Sequence, residues 1–366
     1  MALYIGLMSG TSLDGVDGVL ADITDSSVAV QHHEHRPFDA ALRAELLALN
    51  RSGADELHRA ALAANAVAHA YAGVVTALLA GAGLGRVAIT ALGAHGQTVR
   101  HRPQAFGGTG YTVQLLNGAL LAELSRIDVI ANFRSRDVAA GGQGAPLVPA
   151  FHARCFAQPG QDVAVLNLGG IANLTLLPAD GPVRGFDCGP ANALMDAWCQ
   201  QHQGTPFDAG GRWAAGGRVD ATLLATLLDE PFFALPPPKS TGRDLFNAEW
   251  LAARLPASTG PRDVMATLAE LTARAAAEAL RREAPATARL VVCGGGAFNA
   301  HLMARLAARL PGTQVQGSAQ AGIPPDQVEA LAFAWLAWAF GERRAGNLVE
   351  VTGAAGPRVL GALYPA

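Results

Sequence analysis

The sequence predicts an α/β fold of two duplicated lobes, because one arrangement of strands and helices occurs twice along the chain. In each copy, an apolar strand leads through a glycine-containing turn into a second strand, and Ala- and Leu-rich helical segments follow. The copies lie about half the chain apart. With 366 residues and 50% hydrophobic content, the chain can form two domains that each bury a core.

The first copy begins with a predicted β-hairpin over Leu3–Ile23. Its turn, Gly10–Gly15, contains Ser, Thr, Gly and Asp and is too polar to belong to the core. The long segment Asp55–Ala82 has the apolar spacing of a helix. We therefore expect a strand, a polar turn, a strand and a long helix in this order.

The second copy repeats this layout over Asp162–Asp180, with a turn formed by Asn167, Gly169 and Gly170. The segment Ala191–Gln203 is predicted to be its helix. A third element runs from a β-branched strand through Gly294–Gly296 into a helix, whose N-terminal amides would face an anion or a sugar.

These elements predict a first lobe over residues 1–140 and a second lobe over residues 141–344. The last residues, 345–366, are expected to pack back on the first lobe. The glycine-rich segment Ala139–Pro149 is predicted to be the crossing or hinge, because glycine tolerates large changes of backbone dihedral angles.

Composition excludes several classes of protein. A net charge of −3 with only 16% charged residues provides no basic field for nucleic acid or an anionic membrane. The four cysteines lack CxxC spacing, which argues against structural zinc and a disulfide scaffold. The apolar run Ala330–Phe340 is too short to span a bilayer, and no signal peptide is recognised. We expect a cytoplasmic protein.

The glycine turns do not match the common nucleotide motifs. No GxxxxGK[ST] is present, and neither Gly169–Gly170 nor Gly294–Gly296 extends to GxGxxG. Backbone N–H groups in such turns still form anion-binding concavities, to which Thr11 and Ser12 add hydroxyl groups. Two facing turns would clamp a polyphosphate, as in the superfamily of actin, sugar kinases and heat-shock-chaperone ATPases.

Eight motifs extend this resemblance to one family. They are GLMSGTSLDGVD, GAHGQTVRH, DVAAGGQGAPLVPAFH, LNLGGIANLT, GFDCGPANALMDAW, PKSTGRDLFN, CGGGAFN and VTGAAGPRVLGALYPA. Together they resemble the anhydro-N-acetylmuramic acid kinases, in the right order from residue 3 to residue 366. The resemblance implies actin-like, ribonuclease H-like lobes with a deep interlobe nucleotide cleft.

The resemblance also implies an ATP-dependent reaction in which the anhydro ring of 1,6-anhydro-N-acetylmuramic acid is opened and O6 is phosphorylated. It implies Mg²⁺ as a cofactor and a homodimer as the assembly. The alternatives are a conventional hexose or amino-sugar kinase of the same superfamily and an actin-like ATPase without kinase activity. An assay of the product separates the two kinases.

By this resemblance, the three turns are expected to bind ATP. The residues concerned are Gly10, Thr11, Ser12, Leu13, Asp14, Gly15, Val16, Asp17, Asn167, Gly169, Gly170, Gly294, Gly295 and Gly296.

Asp187 is the predicted general base. Ring opening by water normally requires one carboxyl group to activate the water and another to protonate the leaving oxygen. If O6 is captured by the γ-phosphoryl group, only the base is required. The family's catalytic aspartate falls on the motif that contains Asp187. The competing interpretation is that Asp187 caps the helix that follows it.

The substrate's lactyl carboxylate is expected to bind an arginine, because a guanidinium donates two parallel hydrogen bonds to a carboxylate. We favour Arg136 and expect Arg134 to be exposed. His95 and Gln97 follow a strand predicted over Val87–Leu92 and are predicted sugar contacts at its carboxyl end. A cap of the local turn is the alternative for His95.

The ligands of Mg²⁺ are less defined, because the first strand carries no aspartate. The candidates are Asp14, Asp17, Asp187 and Glu329. Glu329 is also a predicted substrate contact, although a carboxylate suits any helix N-terminus. The polar loop Lys239–Arg243 could cover a nucleotide or simply cap a helix.

Overall fold

The computed structural model describes residues 2–10, 12–243, 245–256 and 258–366. These residues form two compact units. Unit 1 comprises Met1–Phe151 and Gln327–Ala366, and unit 2 comprises His152–Asp326.

Each unit contains a mixed β-sheet, and unit 1 has an additional two-stranded ribbon. The strands are β1 Leu3–Met8, β2 Gly15–Ile23, β3 Val28–Pro37, β4 Ile89–Ala94, β5 Gln97–Arg102, β6 Tyr111–Leu115, β7 Val129–Ala131, β8 Val163–Leu168, β9 Ile171–Leu177, β10 Arg184–Pro190, β11 Arg289–Cys293, β12 Gln314–Gly317 and β13 Ala362–Tyr364.

The α-helices range from single turns to the long helix α2. They are α1 Ala40–Ala48, α2 Glu56–Ala82, α3 Gly118–Ser125, α4 Ser135–Ala139, α5 Val148–Phe156, α6 Asn192–Gln203, α7 Arg212–Ala215, α8 Ala221–Leu228, α9 Ala248–Ala252, α10 Pro261–Glu283, α11 Ala300–Arg309, α12 Val328–Gly341 and α13 Val349–Thr352.

The two sheets have the same strand order, which confirms the predicted duplication. In unit 1 the order is β3-β2-β1-β4-β7, with β13 added at the end, and in unit 2 it is β10-β9-β8-β11-β12. In both sheets the first strand pairs antiparallel with the second and parallel with the fourth. Both predicted hairpins are therefore present, as β1–β2 and β8–β9.

Helix α12 packs directly on the sheet of unit 1, because two strands present glycine to it. A Cβ atom on Gly6 would lie 1.9 Å from the carbonyl oxygen of Ala330, and one on Gly93 would lie 2.0 Å from that of Phe333. This contact places α12 in unit 1, whereas the sequence-based boundaries assigned it to the second lobe. The boundaries of the units lie at 151/152 and 326/327.

Helix α2 covers the other face of this sheet. It is long and apolar enough to cross a membrane by length and composition, but its residues Val67, Tyr71 and Leu78 are fully buried. A Cβ atom on Gly18 of β2 would lie 2.4 Å from the side chain of Val74. Helix α2 is therefore a core helix of unit 1, and α10 has the equivalent position against β9 and β10 of unit 2.

The glycine-rich segment after α4 is attached to the C-terminal part of the chain. The amide of Gln143 donates to the carbonyl of Thr352 at 2.8 Å, and that of Ala355 donates to Ala140 at 2.8 Å. Strand β13 pairs with β7 at the edge of the same sheet. The C-terminal residues thus pack on unit 1, as predicted.

Candidate active site

The β1–β2 turn of unit 1 is held by Gln97 and by a local bond. The side-chain amide of Gln97 donates to the carbonyl of Gly10 at 3.0 Å, and the amide of Leu13 donates to the same carbonyl at 3.3 Å. Gly15 must be glycine, since a Cβ atom there would lie 2.3 Å from the carbonyl oxygen of Arg36. Thr11 lies outside the described residues. The turn has a defined shape, which a backbone-based anion site requires.

The other residues of this turn differ in their exposure. The side chains of Leu13 and Val16 belong to the core of unit 1, so that only their backbone groups could contact a ligand. Ser12 is half-buried and Asp14 is exposed. Any phosphate contact from these two residues would thus come from the backbone, where the Leu13 amide already donates to Gly10.

Ser9 connects the end of β1 to its neighbours. Its hydroxyl group donates to the carbonyl of Gly96 at 3.1 Å and lies 2.9 Å from the hydroxyl oxygen of Tyr71. Burial raises the pKa of Tyr71, so the phenol remains protonated. Ser9 therefore fixes the start of the turn relative to the segment that carries His95 and Gln97.

His95 follows β4 directly, at the carboxyl end where it was predicted. Its Nε2 atom accepts hydrogen bonds from Nε and Nη2 of Arg134, at 3.2 and 3.0 Å. Burial and the charge of Arg134 hold the pKa of His95 well below its usual range, so the ring is neutral at pH 7. Its Nδ1 atom and the Oε1 atom of Gln97 are buried without a partner among the described residues.

Arg134, rather than Arg136, is the arginine that lies beside His95. Its Nη1 atom also donates to the carbonyl of Gly144 at 2.8 Å. Burial lowers its pKa to about 10, while the carboxylates of Glu329 and Asp137 act in the opposite direction. Arg136 on α4 is exposed. The expectation that Arg134 is exposed was therefore wrong.

Glu329 belongs to the first turn of α12 and is half-buried. Helix α12 lies against β1 and β4, and the Glu329 carboxylate is close enough to Arg134 to affect that residue's pKa. Unit 1 thus brings together four of the polar residues discussed from the sequence, namely His95, Gln97, Arg134 and Glu329.

Asp17 is paired with histidines. Its Oδ1 atom lies 2.9 Å from His35 and 3.4 Å from His33, which occupy one face of β3. Burial alone would raise the pKa of Asp17, but the hydrogen bonds from the two histidines outweigh it and lower the pKa. Among the described residues, no three His, Cys, Asp or Glu side chains are grouped in a way that could hold a metal ion.

The equivalent turn of unit 2 lies between β8 and β9, and its carbonyl groups accept hydrogen bonds from the start of helix α6. The carbonyl of Gly170 accepts from the amides of Ala191 and Ala193 at 3.0 and 3.1 Å, and that of Gly169 accepts from Asn192 at 3.0 Å. These bonds do not use the N–H groups of the turn itself. That the N–H groups of this turn bind a phosphate stays a prediction.

The glycine run after β11 packs against this turn. A Cβ atom on Gly294 would lie 2.4 Å from Oδ1 of Asn167, and one on Gly296 would lie 2.5 Å from the side chain of Leu168. The sequence predicted that this glycine run leads directly into a helix, and it does not. A 3₁₀ helix over Gly295–Phe298 intervenes, and Asn299 caps α11. The N-terminus of α11 is thus separated from the glycines.

Asp187 lies in β10, where the pairing with β9 shifts register just after it. Its Oδ2 atom accepts from the amide of Thr241 at 2.9 Å, and its own amide donates to the carbonyl of Lys239 at 3.0 Å. The N-cap of α6 is Ala191, without a side-chain cap. The interpretation of Asp187 as a helix cap was therefore wrong.

Burial raises the pKa of Asp187 to about 7, against the smaller effects of the Thr241 amide and the Lys239 charge. A carboxylate with this pKa suits general-base chemistry near neutral pH, since it is a stronger base than an exposed aspartate. Cys188, beside it, has its pKa raised by burial and is not a reactive thiolate.

The loop Lys239–Arg243 is partly buried and contacts Asp187. The Lys239 ammonium is buried and donates to the carbonyls of Phe232 and Phe233 at 3.0 and 3.3 Å, so it is not displayed toward a nucleotide. The hydroxyl of Thr241 is buried without a partner among the described residues. No pattern in the sequence separates Lys239 from an exposed loop lysine.

The repeated sheet, with a glycine-containing turn after the first strand of each unit, defines a duplicated α/β fold. A family model described as anhydro-N-acetylmuramic acid kinase matches residues 2–366. The chain belongs to this family.

Relatives that carry the family's name support this membership. A protein named anhydro-N-acetylmuramic acid kinase from Variovorax paradoxus (strain S110) is 62% identical, over 100% of this chain and 99% of its own. Proteins with the same name from Bordetella petrii and Bordetella pertussis are 61% and 59% identical, over 100% of this chain and 96% of their own. A solved ROK family glucokinase from Streptomyces griseus, in complex with glucose and AMPPNP, is 13% identical with a TM-score of 0.40, covering 92% of this chain and 99% of its own.

Proposed function

We propose that this protein uses ATP to open the anhydro ring of 1,6-anhydro-N-acetylmuramic acid and to phosphorylate O6. The product is N-acetylmuramate 6-phosphate, and the step belongs to peptidoglycan recycling. Full-length similarity to proteins named for this activity supports the proposal. The observation that carries it is Asp187, a buried carboxylate whose pKa is raised to about 7 and whose Oδ2 atom is already bound.

Asp187 acts as the general base. Because the Thr241 amide occupies Oδ2, Oδ1 is the oxygen that accepts a proton from the attacking water. The water oxygen bonds to C1 of the sugar as the bond from C1 to O6 breaks. O6 then bonds to the γ-phosphorus of ATP, ADP leaves, and Asp187 keeps the proton until the product departs.

A single carboxylate is sufficient for this reaction. In ordinary glycoside hydrolysis, a second carboxyl group protonates the leaving oxygen. Here the phosphoryl group neutralises the developing charge on O6, so a general acid is not required.

We assign the lactyl carboxylate to Arg134, with Arg136 as the exposed alternative. A guanidinium has five N–H donors, and Arg134 uses three of them, two on His95 and one on Gly144. The remaining donors, one on each Nη atom, form a fork that suits a carboxylate. The buried polar atoms of His95 and Gln97 without partners are then available for hydroxyl or amide groups of the sugar.

The turns at Gly10–Asp17, Asn167–Gly170 and Gly294–Gly296 are proposed to bind ATP through backbone N–H groups. Mg²⁺, when bound, would offset charge on the phosphates during transfer. Because the described residues hold no cluster of three ligating side chains, most Mg²⁺ ligands are expected to be phosphates and water, as is usual for this ion. Asp14 and Glu329 remain candidates for a ligand, because Asp187 is assigned to proton transfer and Asp17 is already engaged by histidines.

We further propose that the protein works in the cytoplasm as a homodimer without nucleic-acid or membrane partners. The four cysteines lack the spacing of a disulfide or zinc scaffold, which suits a reducing compartment. Light scattering of the purified protein tests the dimer.

The product assay tests the reaction itself. The protein is incubated with ATP and the anhydro sugar in water enriched in ¹⁸O, with free N-acetylmuramic acid and glucose as parallel substrates. We expect a 6-phosphosugar from the anhydro substrate, with the heavy oxygen at C1 and none in the phosphate. Phosphorylation of the free sugars alone, or label in the phosphate, would reject the proposal in favour of a conventional kinase or an ATPase.

A further inference from the structure

The segment Lys239–Thr241 holds the proposed base from two sides. We propose that Lys239 is a positioning residue, whose buried ammonium group anchors this segment so that its backbone fixes Asp187 for proton transfer. This inference rests on the proposed role of Asp187. It assigns a function to a buried cation that the reaction scheme does not otherwise use.

The anchor consists of contacts made by the ammonium group of Lys239. The residue is only 8% exposed, and its Nζ atom donates to the carbonyl oxygens of Phe232 and Phe233 at 3.0 and 3.3 Å. The same atom lies 4.5 Å from the centre of the Phe232 ring, within the range of a cation–π interaction. Removing these donors would leave two buried carbonyl groups with fewer partners, which is costly.

The anchored backbone contacts Asp187 directly. The carbonyl of Lys239 accepts from the amide of Asp187 at 3.0 Å, and the amide of Thr241 donates to Oδ2 of Asp187 at 2.9 Å. These bonds bracket Asp187 at the point where β10 leaves register with β9. Because one bond fixes the main chain and the other fixes the carboxylate, a displaced segment would move the base itself.

Lys239 also acts on Asp187 through its charge. Burial raises the pKa of Asp187 to about 7, and the positive charge of Lys239 opposes this rise. The other titratable groups around Lys239 are Cys188, Arg282 and Glu283, and Glu278 lines the same small cavity. Of these, Arg282 shares the carbonyl of Phe233 at 3.4 Å. A neutral residue at position 239 should therefore raise the pKa of Asp187 further.

Three substitutions separate the anchor from the charge. Lys239→Met removes both, Lys239→Gln keeps amide donors but no charge, and Lys239→Arg keeps charge and donors. Arg282→Gln is the control, because it removes a neighbouring positive charge and a long contact to the Phe233 carbonyl but leaves the Lys239 ammonium and its own bonds in place. For each full-length variant, kcat and both KM values are measured from pH 5.5 to 9 with the anhydro sugar and ATP.

We expect Lys239→Met to lower kcat by about 10- to 100-fold, in the range found when supporting residues of a site are lost, with both KM values within about threefold of the wild type. The acidic limb of its kcat profile should move to higher pH. Lys239→Gln should show the same move with a smaller loss at the plateau, Lys239→Arg should retain most of the activity, and Arg282→Gln should match the wild type.

A wild-type kcat and acidic limb in folded Lys239→Met would overturn the proposal. If that variant does not fold, as judged by circular dichroism and ATP binding, Lys239→Gln replaces it, and a wild-type kcat together with an unmoved acidic limb in Lys239→Gln would overturn the proposal. Full activity of Asp187→Asn would instead reject the proposed base, whatever the Lys239 variants show. The two failures are therefore distinguishable.

Discussion

At the scale of single residues, burial acts differently on the three ionisable groups of the proposed chemistry. It holds His95 neutral, lowers the pKa of Arg134 to about 10 and raises that of Asp187 to about 7. At pH 7, therefore, the imidazole is an acceptor, the guanidinium still carries its charge, and about half of Asp187 is ionised. Each protonation state is the one that its proposed role requires.

Replacing Asp187 by asparagine tests the base. The amide keeps the size of the side chain and can accept from Thr241, but it cannot take a proton, so kcat should fall by about 10²- to 10⁴-fold. Ring opening and phosphorylation should be lost together, while ATP and sugar still bind by calorimetry. The matched control is Asp180→Asn, which changes an exposed aspartate of the same unit. Phosphorylation by Asp187→Asn at the rate of this control would rule out Asp187 as the base.

The same substitution should stabilise the fold at alkaline pH. The pKa of Asp187 is raised from 3.8 to about 7 in the folded state. The wild-type protein therefore loses stability as pH rises between these two values, and this loss is complete above pH 7. About 3 pKa units correspond to at most about 4 kcal/mol. We expect the free energy of unfolding of Asp187→Asn, relative to wild type, to be greater at pH 8 than at pH 5 by about 2 kcal/mol. Urea titrations that give equal differences at both pH values would contradict this.

Lysine substitutions of Arg134 and Arg136 form a matched pair that tests which arginine binds the lactyl carboxylate of the sugar. Arg134→Lys keeps a charge but loses the fork, so the KM for the sugar should rise by about 10- to 100-fold, the equivalent of one charge-assisted hydrogen bond. The KM for ATP should barely change. Arg136→Lys should leave both values unaltered, because Arg136 is exposed. The opposite ranking of the two variants in steady-state kinetics would return the assignment to Arg136.

The choice between these arginines shows where the sequence was insufficient. The end of β4 could be predicted, and with it His95, because an apolar strand ends there. Which arginine turns inward depends on the short helix α4, and this helix is held by Asp137, whose partner Asn347 is 210 residues away in the chain. Lys239 can likewise be buried because its ammonium group donates to the carbonyls of Phe232 and Phe233. Local spacing carries no signal for such contacts.

At the scale of elements, α12 is positioned by glycines of the strands beneath it. The hairpins and α2 were predictable from apolar periodicity, whereas the unit to which α12 belongs was not, because a helix that is apolar on all sides after its first turn fits either lobe. Gly6 and Gly93 determine the answer, since both would place a Cβ atom within 2.0 Å of a carbonyl oxygen of α12. Glu329, at the start of α12, is thereby brought to the end of the sheet that carries His95.

Gly6→Ala tests this packing. The added methyl group would collide with the backbone of Ala330, and backbone atoms cannot rotate away as a side chain can. We expect a loss of about 3 kcal/mol in the free energy of unfolding. The control is Gly85→Ala, where a Cβ atom would meet nothing within 4 Å. If chemical denaturation gives equal stabilities for the two variants, α12 does not pack on β1 as described.

At the scale of the whole molecule, the chain returns to unit 1 after completing unit 2, and Asp137 binds the returning segment. Its carboxylate accepts from the amide of Gly144 at 2.7 Å, from the side chain of Asn347 at 2.7 Å and from the hydroxyl of Thr352 at 2.8 Å. The residue is fully buried. One side chain therefore joins the glycine-rich segment to the C-terminal segment, three residues after Arg134.

Asp137→Ala should consequently affect both stability and sugar binding. It leaves three buried donors without their acceptor, and we expect the free energy of unfolding to fall by about 3–5 kcal/mol. The KM for the sugar should rise more than that for ATP, because the segment that carries Arg134 and the carbonyl of Gly144 loses its support.

Asp128→Ala is the control, since Asp128 also binds the C-terminal segment, through an exposed bond to the amide of Ala366 at 2.9 Å. This substitution should lower the free energy of unfolding by less than about 1 kcal/mol. Equal losses in the two variants, measured by urea titration, would mean that the buried carboxylate contributes no more than a surface contact and that the C-terminal segment is held by β13 alone.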